Sequence, residues 1–300
     1  MKIIFKPNIQ LFIAFLIINA AGYKYENNPL GQHHLRREMV NVFSNFIKDD
    51  AKQIKLLTLI KNLPCSSDEY IRLVNLLFKA QDNDPFYNLT KTKLIKKEFI
   101  ANIKKLEKSN TIKILYKQYC LTVKNYHDFN TRGKKELETV LKFFNLQPSN
   151  INITIQTHLN LLDSFQRGTN YNSSKIKIIA FSLNCDNNIN WPTARHELMH
   201  VLLKNKYHND LSKIKFSLPV GRGYLQDSTR VKFEENFIYA ANLFFIPEQK
   251  KRNSNLKYFY DSGYTRIYEF YNLIDEYFIK HKRILSSTTM NNFIQKLNGK

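Results

Sequence analysis

The residues best suited to chemistry lie in Asn190-Trp-Pro-Thr-Ala-Arg-His-Glu-Leu-Met-His-Val-Leu-Leu-Lys204, where His196, Glu197 and His200 form an HExxH pattern. On a helix, residues four apart sit one turn above each other, so both imidazoles can point at one ion, with nitrogen to zinc distances of about 2.0 Å. Glu197 is rotated about 100° from His196, which puts it beside such a metal without binding it. There it can take a proton from a water whose pKa zinc lowers from about 15.7 towards roughly 7. The expected cofactor is Zn2+ and the expected chemistry is hydrolysis by a metal-activated water. The competing reading is a packing helix whose two histidines are satisfied by hydrogen bonds.

A catalytic zinc takes three protein ligands and keeps one position open. The metzincin spacing HExxHxxGxxH is absent, because Leu203 stands where its glycine would be. A better source is Val231-Lys-Phe-Glu-Glu-Asn-Phe-Ile-Tyr-Ala-Ala-Asn-Leu-Phe-Phe-Ile-Pro247, a second helix carrying Glu234 and Glu235 and ended by proline. Glu234 shares its face with Ile238, Ala241 and Phe245. Glu235 shares its face with Ile238, Tyr239 and Asn242, side chains able to orient a ligand, and is the preferred third ligand, with Glu234 as the alternative.

HELMH followed by EENFIYAANLFFIP resembles the gluzincin metallopeptidases, in particular a group of exported bacterial proteins with a helical N-terminal region, and more distantly the ImmA/IrrE-like peptidases. The resemblance covers about residues 151–247. It implies a zincin-like region in which His196, His200 and a glutamate of the second helix hold zinc and Glu197 is the base. A donor for the developing oxyanion is also needed. The connecting segment offers Tyr224 first, with Arg222, His208 and Arg230 also in reach by sequence.

Other elements must position these groups. From about Tyr23 to Lys142 the pattern is one of successive amphipathic helices. Leu137, Val140, Leu141 and Phe144 share one face of Lys134 to Leu146, and a Ser66/Glu69 capping box precedes Tyr70 to Ala80. Alternation at Ile151 to Ile155 and the Ile-rich run Lys175 to Leu183 predict strands, with a helix over Leu159 to Phe165 between them. Lys175 to Leu183 is the candidate edge strand, on which an extended substrate could add as a further strand. Tyr264 to Lys280, with Ile267, Phe270, Ile274 and Tyr277 inward, and Thr289 to Leu297 predict two last helices. The expected fold is α+β and predominantly helical: residues 1–22 a signal peptide or anchor, 23–147 a helical region, and 148–300 a zincin-like region with a small sheet.

Lys2 and Lys6 precede an apolar run from Ile9 to Ile18, followed by small residues at Ala20 to Gly22, the pattern of an export signal. Cys65, Cys120 and Cys185 have no metal-site spacing and permit one disulfide. Lys and Arg outnumber Asp and Glu by 46 to 25, so the surface favours anionic partners, lipid included. Arg-rich runs, aromatic RNA-binding motifs and phosphate loops are absent, which argues against specific nucleic-acid readout. The expectation is therefore an exported zinc metallopeptidase acting on peptide or protein. The alternative is a non-catalytic zincin-scaffold binding protein of the cell envelope.

Overall fold

Asn8 starts the first helix by accepting the amide of Leu11 at 3.0 Å. The computed structural model describes residues 2–24, 31–63, 65, 70, 73, 90–126, 129–147, 154–172, 176–204, 206–207, 211, 214, 218 and 229–299. In chain order these give β1 (Lys2–Phe5), α1 (Ile9–Ala20), α2 (His34–Ile47), α3 (Ala51–Lys61), α4 (Thr90–Glu107), α5 (Asn110–Lys124) and α6 (Phe129–Phe143). There follow β2 (Thr154–Leu159), β3 (Gly168–Asn172), β4 (Ile176–Phe181), α7 (Trp191–Leu203), α8 (Thr229–Asn242), α9 (Gln249–Asp261), α10 (Ile267–Ile274) and α11 (Ser287–Asn298). The fold is α+β and predominantly helical, as expected, with a small mixed sheet. Two compact units divide it: Ile3–Gly133 with Thr154–Thr193, and Lys134–Ile153 with Ala194–Lys300 and Met1–Lys2. The sheet thus goes with the N-terminal helices.

In the sheet-bearing unit, α1 packs against α2, α3, α4 and α5. This is the segment whose pattern reads as an export signal, and Leu11 through Ile18 are buried on every side, as befits a helix that is apolar all round. Phe12 meets the rings of Tyr116 and Tyr119, and the Tyr119 hydroxyl donates to the Leu159 carbonyl at 2.6 Å, which ties α5 to the end of β2. Among the described residues, no helix is long and apolar enough to cross a membrane.

The strand order is β1-β2-β4-β3, with β2 parallel to β4 from Thr154↔Ile176 to Leu159↔Phe181 and β3 antiparallel to β4. Two expectations are corrected here. β4 is not an edge strand, because β3 covers its outer side; the polar run Gly168-Thr-Asn-Tyr-Asn172 hid that strand from a search for apolar alternation. Residues Leu159 to Phe165 are not helical either. Leu159 ends β2, and the next residues turn because Asn160 Oδ1 accepts the Leu162 amide at 3.2 Å and Asp163 Oδ1 accepts the Ser164 amide at 2.8 Å. Such local side-chain acceptors compete with helical hydrogen bonds. The Ser66/Glu69 box and Ile151 to Ile153 lie outside the described residues.

The second unit is built around an aromatic core. Phe144 stacks on Phe237, Phe233 meets Phe270, and Phe237 meets Phe293, with ring centroids 5.3–6.0 Å apart. The expected inward sets, Leu137, Val140, Leu141 and Phe144 on one element and Ile267, Phe270, Ile274 and Tyr277 on another, are buried. α10 does not run straight on to Lys280; Asp275–Lys280 continue it with π-helical bonding. The Ser286 hydroxyl caps α11 by accepting the Thr289 amide at 3.1 Å.

Candidate metal centre

The helix that carries the HExxH pattern is well started. Asn190 Oδ1 accepts the Thr193 amide at 3.2 Å, and Pro192 occupies the first turn, where its missing N–H has no intrahelical partner to lose. Within the second unit, Arg195 sets the rotation of α7. Its guanidinium pairs with Glu136 of α6 and sits over the Phe245 ring, 5.1 Å from the centroid. Ala194, Leu198 and Met199 fill the core, so His196 and His200 are turned to α8.

Three side chains converge there. His196 Nε2 and His200 Nε2 are 3.1 Å apart. The Glu235 carboxylate faces both, with Oε2 3.4 Å from His196 Nε2 and Oε1 3.3 Å from His200 Nε2. A tetrahedral zinc with bonds of about 2.0–2.1 Å would separate its ligand atoms by about 3.3 Å. The donor set also suits zinc: two imidazoles and a carboxylate, with one position left for water. Glu235 is buried and its Oε2 meets no donor closer than His196 Nε2 at 3.4 Å, a weakly satisfied state that a cation at this point would relieve. Among the described residues this is the one group of three such side chains within ligating distance of one another. The residues therefore fit a zinc ion.

Glu234, the next residue, faces the other side of His200. Its Oε2 lies 2.7 Å from His200 Nδ1, while its Oε1 accepts from Arg230 Nε at 2.9 Å and from the Tyr207 hydroxyl. The two adjacent acids are thereby divided: Glu235 can ligate, and Glu234 is held away by its three donors. If Nδ1 carries the proton that Glu234 accepts, the Nε2 lone pair of His200 is directed at the ion position. His196 is held by packing instead. The Tyr239 ring lies 5.1 Å from its imidazole and is itself backed by Phe259 and Tyr264.

Electrostatics follow from this burial. Burial pushes the Glu235 carboxyl up, and the adjacent His196 and His200 more than reverse that, holding it at about 2. Glu234 is likewise brought to about 2, its burial outweighed by His200 and Arg230. Burial disfavours a charge on His200, yet hydrogen bonds and charge from Glu234 and Glu235 raise its pKa well above the ordinary value.

Glu197 follows His196 on α7 and is buried. Arg230, a candidate oxyanion donor by sequence, is instead engaged with Glu234. Tyr224, Arg222 and His208 lie outside the described residues. The roles of Glu234 at His200 Nδ1, and of Tyr207 as a donor to the other oxygen of Glu234, were not legible in the sequence. A buried Glu-Glu pair signals two distinct environments, but Tyr207 belongs to no local pattern. Cys65, Cys120 and Cys185 form no disulfide with one another. Comparison with protein-family models, curated proteins and solved structures found no match.

Proposed function

We propose that this chain is a zinc-dependent peptidase of the gluzincin type, hydrolysing peptide or protein substrates. The observation that carries the reading is the convergence of His196 Nε2, His200 Nε2 and the buried Glu235 carboxylate, with separations of 3.1–3.4 Å between them. Zinc at that point supplies a Lewis acid and lowers the pKa of water.

The protein's own groups do the rest. His196, His200 and Glu235 hold the ion, Glu234 fixes the ring of His200, and the Tyr239 ring restrains His196. Glu197 is the base: one turn-step from His196, its carboxylate accepts a proton from the attacking water and returns it to the leaving amine. Tyr224 is the proposed donor to the developing oxyanion. The gluzincin resemblance of the two helices adds support, since it assigns His196, His200 and a glutamate of the second helix as ligands and Glu197 as base. As to location, the N-terminal pattern supports export, whereas the burial of Leu11 to Ile18 supports a folded chain that keeps this segment.

The test compares wild type with Glu197→Gln on a peptide library, both loaded with zinc. The expected result is hydrolysis by wild type and a loss on the order of 10²–10⁴-fold in the variant, with zinc retained. A zinc-loaded wild type that cleaves no peptide, or a variant of undiminished activity, would overturn the proposal.

A further inference from the structure

The stretch between Glu107 and Asp128 contains Lys108, Lys113, Lys117 and Lys124 and no acidic residue. It contains the whole of the α5 helix, whose inner face, Ile112, Leu115, Tyr119 and Val123, is buried. At about 100° per residue, Lys113, Lys124 and Lys117 fall within an arc of about 40° on the opposite side, and Leu121 and Ile114 lie at its edge, about 40–60° further round. These two aliphatic side chains are 55% and 68% exposed. The preceding helix α4 ends with Lys104 and Lys105 exposed, Lys105 pairing with Asp50 at 2.9 Å, and exposed Lys108 follows it.

We propose that the outer face of α5 docks on the surface of a lipid bilayer containing anionic lipids. Charge and shape both bear on the partner. A row of lysines beside exposed Ile and Leu matches the boundary between headgroups and acyl chains, where cations meet lipid phosphates and aliphatic side chains leave water. A nucleic-acid backbone would satisfy the lysines alone and leave Ile114 and Leu121 in water. The lysine stems can also lie along the apolar ridge while their ammonium groups reach the phosphates. The association is peripheral and reversible, and it stands independently of the metal-site reading.

Sedimentation of the full chain with vesicles tests this. Vesicles of phosphatidylcholine with about 30% phosphatidylglycerol should bind the protein, and pure phosphatidylcholine should bind it far less, since each lysine near an anionic surface contributes about fivefold. The triple change Lys113→Ala, Lys117→Ala, Lys124→Ala should weaken binding on the order of 100-fold. Removing three exposed lysines elsewhere, Lys135→Ala, Lys250→Ala, Lys251→Ala, should cost far less at the same net charge. Ile114→Asn with Leu121→Asn should weaken binding while leaving the circular dichroism and melting of the protein unchanged. Equal binding to both vesicle types, equal losses from the two lysine triples, or tight duplex DNA binding insensitive to Ile114 and Leu121 would overturn the proposal.

Discussion

Changing Glu234 to Gln is the most informative perturbation of the centre, because it leaves every proposed ligand in place. Glu234 Oε2 meets His200 Nδ1 at 2.7 Å, and its other oxygen accepts from Arg230 and Tyr207. An amide cannot serve all three donors. If its oxygen stays with Arg230 and Tyr207, its NH2 group opposes the His200 Nδ1–H, and the ring must turn or change tautomer. The interaction lost is a charge-assisted hydrogen bond of about 1.5–3 kcal/mol. That matches a fall in zinc affinity of about 10–100-fold, the range for groups that orient a ligating histidine. The assay is competition for zinc with a chromophoric chelator, run on wild type, Glu234→Gln and Glu235→Gln. Glu235→Gln removes a ligand and should cost at least tenfold more than Glu234→Gln. A Glu234→Gln affinity equal to wild type, or a larger loss from Glu234→Gln than from Glu235→Gln, would refute the division of roles between the two acids.

Three further outcomes concern the sheet-bearing unit. His158 on β2 is buried, and desolvation lowers its pKa from 6.5 to about 4. Between these values the unfolded chain binds a proton that the folded chain does not, so stability falls as pH drops through that window; about 2 kcal/mol is lost by pH 5. In denaturant melts the loss between pH 7 and pH 5 should be about 2 kcal/mol smaller in His158→Leu than in wild type, the remainder including His33, whose pKa burial likewise lowers to about 4; an identical loss in both would contradict it. Phe15 on α1 is fully buried, so Phe15→Ala should destabilise the chain by about 3–5 kcal/mol. By the same burial, the protein isolated from its native source should retain residues 1–22, which intact-mass measurement would detect. A mature chain starting near Gly22 would show that the packing of α1 is dispensable.

Most helices, and the residues that meet at the centre, were legible in the sequence because they depend on local spacing. His196 and His200 share a face by their four-residue separation, and Leu137, Val140, Leu141 and Phe144 mark an inner face whatever packs on it. Long-range pairing was less legible. β3 is made of Gly, Thr, Asn and Tyr, and only its partner β4 makes it a strand, so β4 read as an edge. At Asn160 to Ser164, apolar spacing suggested helix while the short acceptors of Asn160 and Asp163 dictated a turn. The apolar run at Ile9 to Ile18 has the composition of both an export signal and a core helix, and burial is settled only by the neighbours α1 finds. The choice between Glu234 and Glu235 needed Tyr207 and Arg230, two donors that nothing in the local pattern of α7 or α8 assigns to one carboxylate.

Metal content tests the central claim most directly. Wild type and His196→Ala, purified without added metal chelators and exchanged into metal-free buffer, would be analysed by inductively coupled plasma mass spectrometry. The account predicts close to one zinc per wild-type chain and almost none in the variant at unchanged helical content. Zinc near zero in both, or equal zinc in both, would contradict it.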